Sequence, residues 1–179
     1  MKQALLIIDV QNDYFSGGKM PLYQPEHALA KINQLEKQFL NENQPIIYIQ
    51  HIKHTENADF FEHETFGAML HENLKINEQS IIIEKHFPNS FLETQLLEFL
   101  QKRSIEQLVI AGMMTHMCVD STTRAARELG FQPILIADAT ATRDLIYDHE
   151  TVSAEKVQIS FLSALQNFAQ VQTTSEFLT

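Results

Sequence analysis

A single cysteine, Cys118, no tryptophan, and only five glycines and five prolines in 179 residues exclude several kinds of protein. One thiol rules out a disulfide within the chain, and the absence of an export signal makes the reducing cytoplasm the expected compartment. The apolar stretch in "MKQALLIIDVQND" is interrupted by Asp9 and is followed by no small-residue cleavage site, so it reads as a first strand. No run of 18 apolar residues offers a membrane span. Positive charge is scarce, with 13 Lys and Arg against 23 Asp and Glu, a formal net charge of −10. Phosphate backbones are held by clustered cations, so nucleic acid is not an expected partner, and acidity does not favour a membrane surface either. What remains, with 44% hydrophobic and 20% charged residues and no low-complexity tract, is a globular chain able to bury roughly 70% of the surface it exposes when unfolded.

Within that chain, short β-branched runs alternate with helical patterns. The runs are Ala4 to Asp9, Pro45 to His51, Ser80 to Lys85, Gln107 to Gly112 and Pro133 to Asp138, each continuously apolar as in strands buried on both faces of a parallel sheet. Amphipathic segments lie between and after them, at Glu26 to Leu40, Phe91 to Lys102, Val119 to Leu129 and His149 to Phe168, and "AQVQTT" supplies a short sixth strand. The alternation predicts a three-layer α/β/α sandwich with a mainly parallel, doubly wound (Rossmann-like) sheet of about six strands, with helices on both faces. His51 to Asn77 is the least regular stretch. "HETFGAMLHENL" within it suggests a short helix, and the segment reads either as a lid or as a surface excursion.

Open parallel sheets bind ligands outside the carboxyl ends of their strands. The first predicted strand ends in Asp9, the second in His51, the third in Lys85, and the fourth leads through a short loop to Cys118. Taken singly, each has an ordinary explanation: a turn-capping aspartate, an exposed strand-end lysine, a small buried hydrophobe. Together a carboxylate, an ammonium and a thiol on one edge make a nucleophilic site. Cys118 opens a helical pattern with Val119, Thr122, Ala126 and Leu129 at near-helical spacing and Gly130 as a stop. Unpaired N–H groups at such an end and a neighbouring Lys85 would lower the thiol pKa, and Asp9 would take and return its proton.

The blocks "LLIIDVQNDYF", "EKHFPNSFLETQLLEFL", "LVIAGMMTHMCVDSTTRAARELGF" and "LIADATATRD" resemble, in that order, the isochorismatase-like cysteine hydrolases, which include nicotinamidases and N-carbamoylsarcosine amidase. The resemblance implies a single hydrolase domain over residues 1–179 and an Asp9–Lys85–Cys118 catalytic triad. It also implies a cis peptide at Met113–Met114, and an oxyanion hole built from the backbone N–H groups of Met114 and Cys118. The implied reaction is hydrolysis of a small amide-like C–N bond by water through a thioester, in a homo-oligomer such as a dimer or tetramer. Gln11, Tyr14, Phe15, Phe87 and Met114 are the expected pocket residues.

Two departures from the family pattern matter. Nicotinamidases of this group carry metal ligands in an Asp-x-His element after the second strand, whereas here the chain reads "YIQHIKHTENADFFEH". No cofactor is therefore expected, and a metal-assisted nicotinamidase, with zinc or a similar divalent ion on His51, His54 and His63, is the alternative. His116 stands where many relatives have an acidic or amide residue, and it reads as a pocket, subunit-contact or surface histidine. A non-catalytic small-molecule binding protein of the same fold is the rival from outside enzymology. True isochorismatases lack the nucleophilic cysteine, so Cys118 favours thiol chemistry over vinyl-ether hydrolysis.

Overall fold

The computed structural model describes residues 1–179. Six parallel strands form one sheet: β1 (Gln3–Ile8), β2 (Ile46–His51), β3 (Ile81–Lys85), β4 (Gln107–Met113), β5 (Gln132–Ala141) and a short strand near the C-terminus, Gln170–Gln172. Their order in space is β3, β2, β1, β4, β5 and then that last strand, so the chain winds outward one way from β1 and then restarts on its other side at β4. The gap between the tips of β1 and β4 is the topological switch point, where such sheets leave a crevice.

Apolar residues of β1 divide by parity, as the two-residue period of a strand requires. Leu5 and Ile7 enter one core, packed with α1 (Pro25–Asn41). Ala4, Leu6 and Ile8 enter the other, with α2 (Leu96–Lys102) and α3 (Asp120–Glu128). Helix α1 starts with Pro25 at its first position and buries Ala28, Leu29, Ile32, Leu35 and Phe39 along one stripe. Helix α3 ends at Gly130, whose φ of +92° suits the left-handed stop expected there. No helix of the chain is long and apolar enough to cross a membrane.

Four expected elements differ. The helical pattern from His149 to Phe168 starts instead as β7 (Glu150–Val152), paired in a hairpin with β6 (Leu145–Tyr147) just before it, and only then becomes α4 (Ala154–Leu165), after which come the last sheet strand, β8, and the C-terminal turn α5 (Thr174–Phe177). Asp148 and His149 both have positive φ, giving the two-residue turn that matches strand twist. Helix α2 begins five residues later than its pattern suggests. Asn89 accepts from the Phe91 N–H, Thr94 donates to the Ser90 carbonyl, and Glu93 is left-handed, so local bonds hold a turn there instead. In place of a helix within residues 63–74 there is one 3-10 turn, Phe66–Ala68. The wider segment is pinned down, because Ile52, Phe61, Ala68 and Leu74 are buried in the core. Edge strand β3 alternates half-buried and exposed residues rather than burying both faces.

Candidate active site

Asp9 follows β1 directly, in a left-handed conformation with φ of 51° that turns its carboxylate off the strand axis. Its N–H still donates to Ile49 on β2, which anchors the turn. Lys85 closes β3 in register with His51 on β2. Strands are spaced by about 4.8 Å, so the tip of β3 stands roughly 10 Å from β1, a gap spanned by the lysine stem, a 2.8 Å contact and the Asp9 side chain together. Cys118 lies in a π-helical turn, Thr115–Val119, between β4 and α3, and the Met113–Met114 peptide before it is cis. Gly112 lets β4 come this close to β1. Its φ is +126°, and a Cβ there would stand 2.1 Å from the Ile8 carbonyl oxygen.

The three expected residues meet at the switch point. Lys85 Nζ is 2.8 Å from Asp9 Oδ2 and 3.1 Å from Cys118 Sγ, with Asp9 and Lys85 fully buried and Cys118 only 4% exposed. A fourth group joins them: Lys85 donates to His51 Nδ1 at 2.9 Å, and also to the Phe87 carbonyl at 3.1 Å. An ammonium has three protons and here faces four acceptors. With His51 Nδ1 accepting from Lys85, the thiol is the one of the four left to carry a proton of its own and give it to the Asp9 carboxylate.

Electrostatics agree with this count. Burial pushes Asp9 up from the ordinary carboxylate range, against the pull of Lys85 and the thiol. It pushes the Cys118 thiol up as well, aided by Asp9 and opposed by Lys85. The expectation of a depressed thiol pKa therefore gives way to a protonated resting thiol, because desolvation and a second anion outweigh one ammonium. Burial alone would lower Lys85, but Asp9 and Cys118 hold its pKa up, so the cation persists. His51 is pushed down to about 3 by burial and then by Lys85, which makes it a neutral imidazole accepting through Nδ1.

The other expected residues have varied positions. The Gln11 amide is bonded wholly to backbone: it donates to the His51 and Ala68 carbonyls at 2.9 and 2.7 Å and accepts from the His51 N–H at 2.8 Å. It braces the wall of the site and has no donor left for a ligand. Tyr14 is buried against Phe61, ring centroids 4.6 Å apart, and Phe15 packs on His71. Phe87 exposes its ring and offers its carbonyl to Lys85, while Met114 is buried beside the nucleophile turn. His116 bonds Thr142 Oγ1 at 2.6 Å, away from the thiol.

The expected metal candidates are not brought together. His51 is buried beside Asp9, Lys85 and Cys118, whereas His54 and His63 stack on each other at the surface, ring centroids 4.5 Å apart. Donor atoms of Asp9, His51 and Cys118 do lie within 4.8 Å of one another. The Lys85 ammonium, however, is within hydrogen-bond reach of all three, so this donor set already surrounds a cation and fits an added metal ion poorly. His51 gains a part that the sequence did not assign to it, as a hydrogen-bond partner of the Lys85 ammonium. Its signal was its position at the tip of β2, on the same edge as Asp9 and Lys85.

Known proteins resemble the chain along nearly its whole length. Residues 3–176 match the isochorismatase domain. The isochorismatase family protein YddQ of Bacillus subtilis is 42% identical over 179 residues, covering 99% of both chains. A solved structure from Oleispira antarctica, assigned as an isochorismatase hydrolase, superposes with a TM-score of 0.94 at 39% identity, covering 98% of this chain and 95% of that one. More distantly, nicotinamidase 3 of Arabidopsis thaliana is 25% identical over 170 residues, 88% of this chain and 80% of that protein.

Proposed function

From the premise that the chain belongs to the isochorismatase family, we propose that it is a cysteine hydrolase of a small amide-like substrate, with Asp9, Lys85 and Cys118 as its catalytic triad. The observation that carries the reading is the buried Lys85 Nζ set 2.8 Å from the carboxylate and 3.1 Å from the thiol. A similar nicotinamidase supports amide chemistry, and the surrounding Tyr14, Phe61 and Met114 suit a small, flat or apolar amide better than a sugar or phosphate.

The proposed steps follow the protonation states that burial and Lys85 favour. As Cys118 Sγ attacks the carbonyl carbon, its proton passes to Asp9, and the C–S bond forms while the C=O electrons move to oxygen. Backbone N–H groups of Met114 and Cys118 receive the oxyanion. Asp9 then gives the proton to the nitrogen, the C–N bond breaks, and ammonia or an amine leaves a thioester. Asp9 next takes a proton from water as the water attacks. Collapse releases the acid, and the sulfur recovers its proton from Asp9. Lys85 stays charged throughout and balances whichever of the two partners is the anion, while His51 and Phe87 hold its ammonium in position.

Cys118→Ala is expected to remove turnover in a screen of small primary amides while leaving the circular dichroism spectrum and thermal midpoint near those of the parent. Turnover retained by this variant would overturn the triad. Ligand binding without turnover in the parent would favour the binding-protein reading.

A further inference from the structure

Outside the pocket, on the exposed edge of the sheet, a second group of side chains converges. Glu84 and His86 flank Lys85 in sequence, and strand alternation sends them away from the pocket that Lys85 enters. His54, from the loop after β2, meets them there. His54 Nε2 is 3.3 Å and His86 Nε2 3.6 Å from the same Glu84 oxygen, Oε1, and the donor atoms of the three residues all lie within 4.8 Å of one another. The His63 ring stacks on His54, bringing a third imidazole.

We propose that His54, Glu84 and His86 form a surface site for a divalent transition metal of the zinc type, with His63 or water completing the coordination. Three features carry the assignment. First, the spacing fits: an ion at about 2.1 Å from nitrogen and oxygen ligands in a tetrahedron separates them by roughly 3.4 Å, and two donor pairs already stand at 3.3 and 3.6 Å. Second, the tautomer of His86 is set. Its Nδ1 lies 2.9 Å from the Ile52 carbonyl oxygen and must donate to it, so a neutral ring keeps its lone pair on Nε2. Metal-ligating histidines characteristically donate their other ring N–H in this way. Third, that lone pair faces a carboxylate oxygen, an acceptor opposite an acceptor, an arrangement that a cation between them satisfies. Two imidazoles and one carboxylate with open access match the ligand preferences of zinc rather than those of calcium or magnesium. An ion here would tie the loop after β2 to the tip of β3, the two segments that carry His51 and Lys85.

The test is titration of untagged, EDTA-stripped full-length protein with Zn2+ by calorimetry, and with Co2+ by visible absorption. One ion per chain is expected, with tetrahedral d–d bands and no thiolate-to-cobalt charge-transfer band. His86→Ala and Glu84→Gln should each weaken Zn2+ binding at least tenfold with an unchanged circular dichroism spectrum, whereas Cys118→Ala should leave it unaltered. No saturable binding, binding indifferent to a His54→Ala/His86→Ala double substitution, or a charge-transfer band lost in Cys118→Ala would each overturn the assignment. The last of these would place the ion in the catalytic pocket. Because the readout is metal binding and not turnover, its outcome is independent of the hydrolase proposal.

Discussion

Lys85 is the residue on which the charge balance of the pocket turns. It is the only cation within hydrogen-bond reach of Asp9 and Cys118, two groups that burial pushes toward their neutral forms. The sign of each influence on the thiol is then testable. Asp9 raises the Cys118 pKa and Lys85 lowers it, so Asp9→Asn should shift the pH profile of iodoacetamide alkylation to lower pH than the parent, and Lys85→Met should shift it higher. Intact mass reports the reaction without ambiguity, since there is one thiol. An Asp9→Asn profile that superposes on the parent would mean that Asp9 does not face the sulfur. The result would also separate nucleophile ionisation from catalysis, because the variant with the readier thiolate is expected to be the one that cannot return a proton to the leaving group. Sequence placed Asp9, Lys85 and Cys118 on one edge but misjudged the direction of the thiol shift. Strand ends are visible in apolar patterning; the depth at which a side chain is buried, which dominates here, is not.

At the scale of elements, the strand tips hold the site, and Gly112 holds the tips together. Gly112→Ala places a Cβ 2.1 Å from the Ile8 carbonyl oxygen at a φ of +126°. A backbone conformation of this kind costs a side chain about 1–3 kcal/mol before any clash, so a loss of roughly 3 kcal/mol or more is expected, readable as a lower denaturant midpoint. Gly130→Ala, at φ +92° with nothing within 4 Å of the added carbon, should lose only about 1 kcal/mol. Equal losses in the two variants would show that close approach of β4 to β1 is not what Gly112 provides. The parallel strands were legible because each is a bounded β-branched run. The β6–β7 hairpin was not: its turn is Asp148-His149 rather than an Asn-Gly or Asp-Gly pair, and Thr151 and Val152 of β7 read equally as the start of the helical pattern from His149. Likewise α2 starts late because Asn89, Ser90 and Thr94 offer the backbone competing bonds that apolar periodicity does not register.

For the whole molecule, topology decides which distant residues become neighbours. The alternation of elements implied a doubly wound parallel sheet with right-handed crossovers, and the structure adds the order β3, β2, β1, β4, β5, β8. Contacts made by loops were not implied, and His116 is an example. Its place in the nucleophile loop suggested three different roles, and only the fold reveals that it bonds Thr142 from the end of β5, beside Arg143 and edge-on to Phe161. Burial first, and then the Arg143 charge, push its pKa down to about 4, with Asp120 opposing. An unfolded chain binds a proton on this ring near pH 6.5, so between about pH 6.5 and 4 the unfolded state holds the proton that the folded state refuses. Stability must therefore rise with pH across that window and fall on acidification. After allowing for partial solvent screening, the difference at pH 5 amounts to about 1 kcal/mol. His116→Gln keeps a hydrogen-bonding group beside Thr142 but cannot titrate, so its stability should change less than the parent's between pH 7 and pH 5. Urea unfolding of both proteins at the two pH values measures this. Parallel losses would mean that His116 is protonated in the folded state, and that acid sensitivity arises elsewhere in the chain.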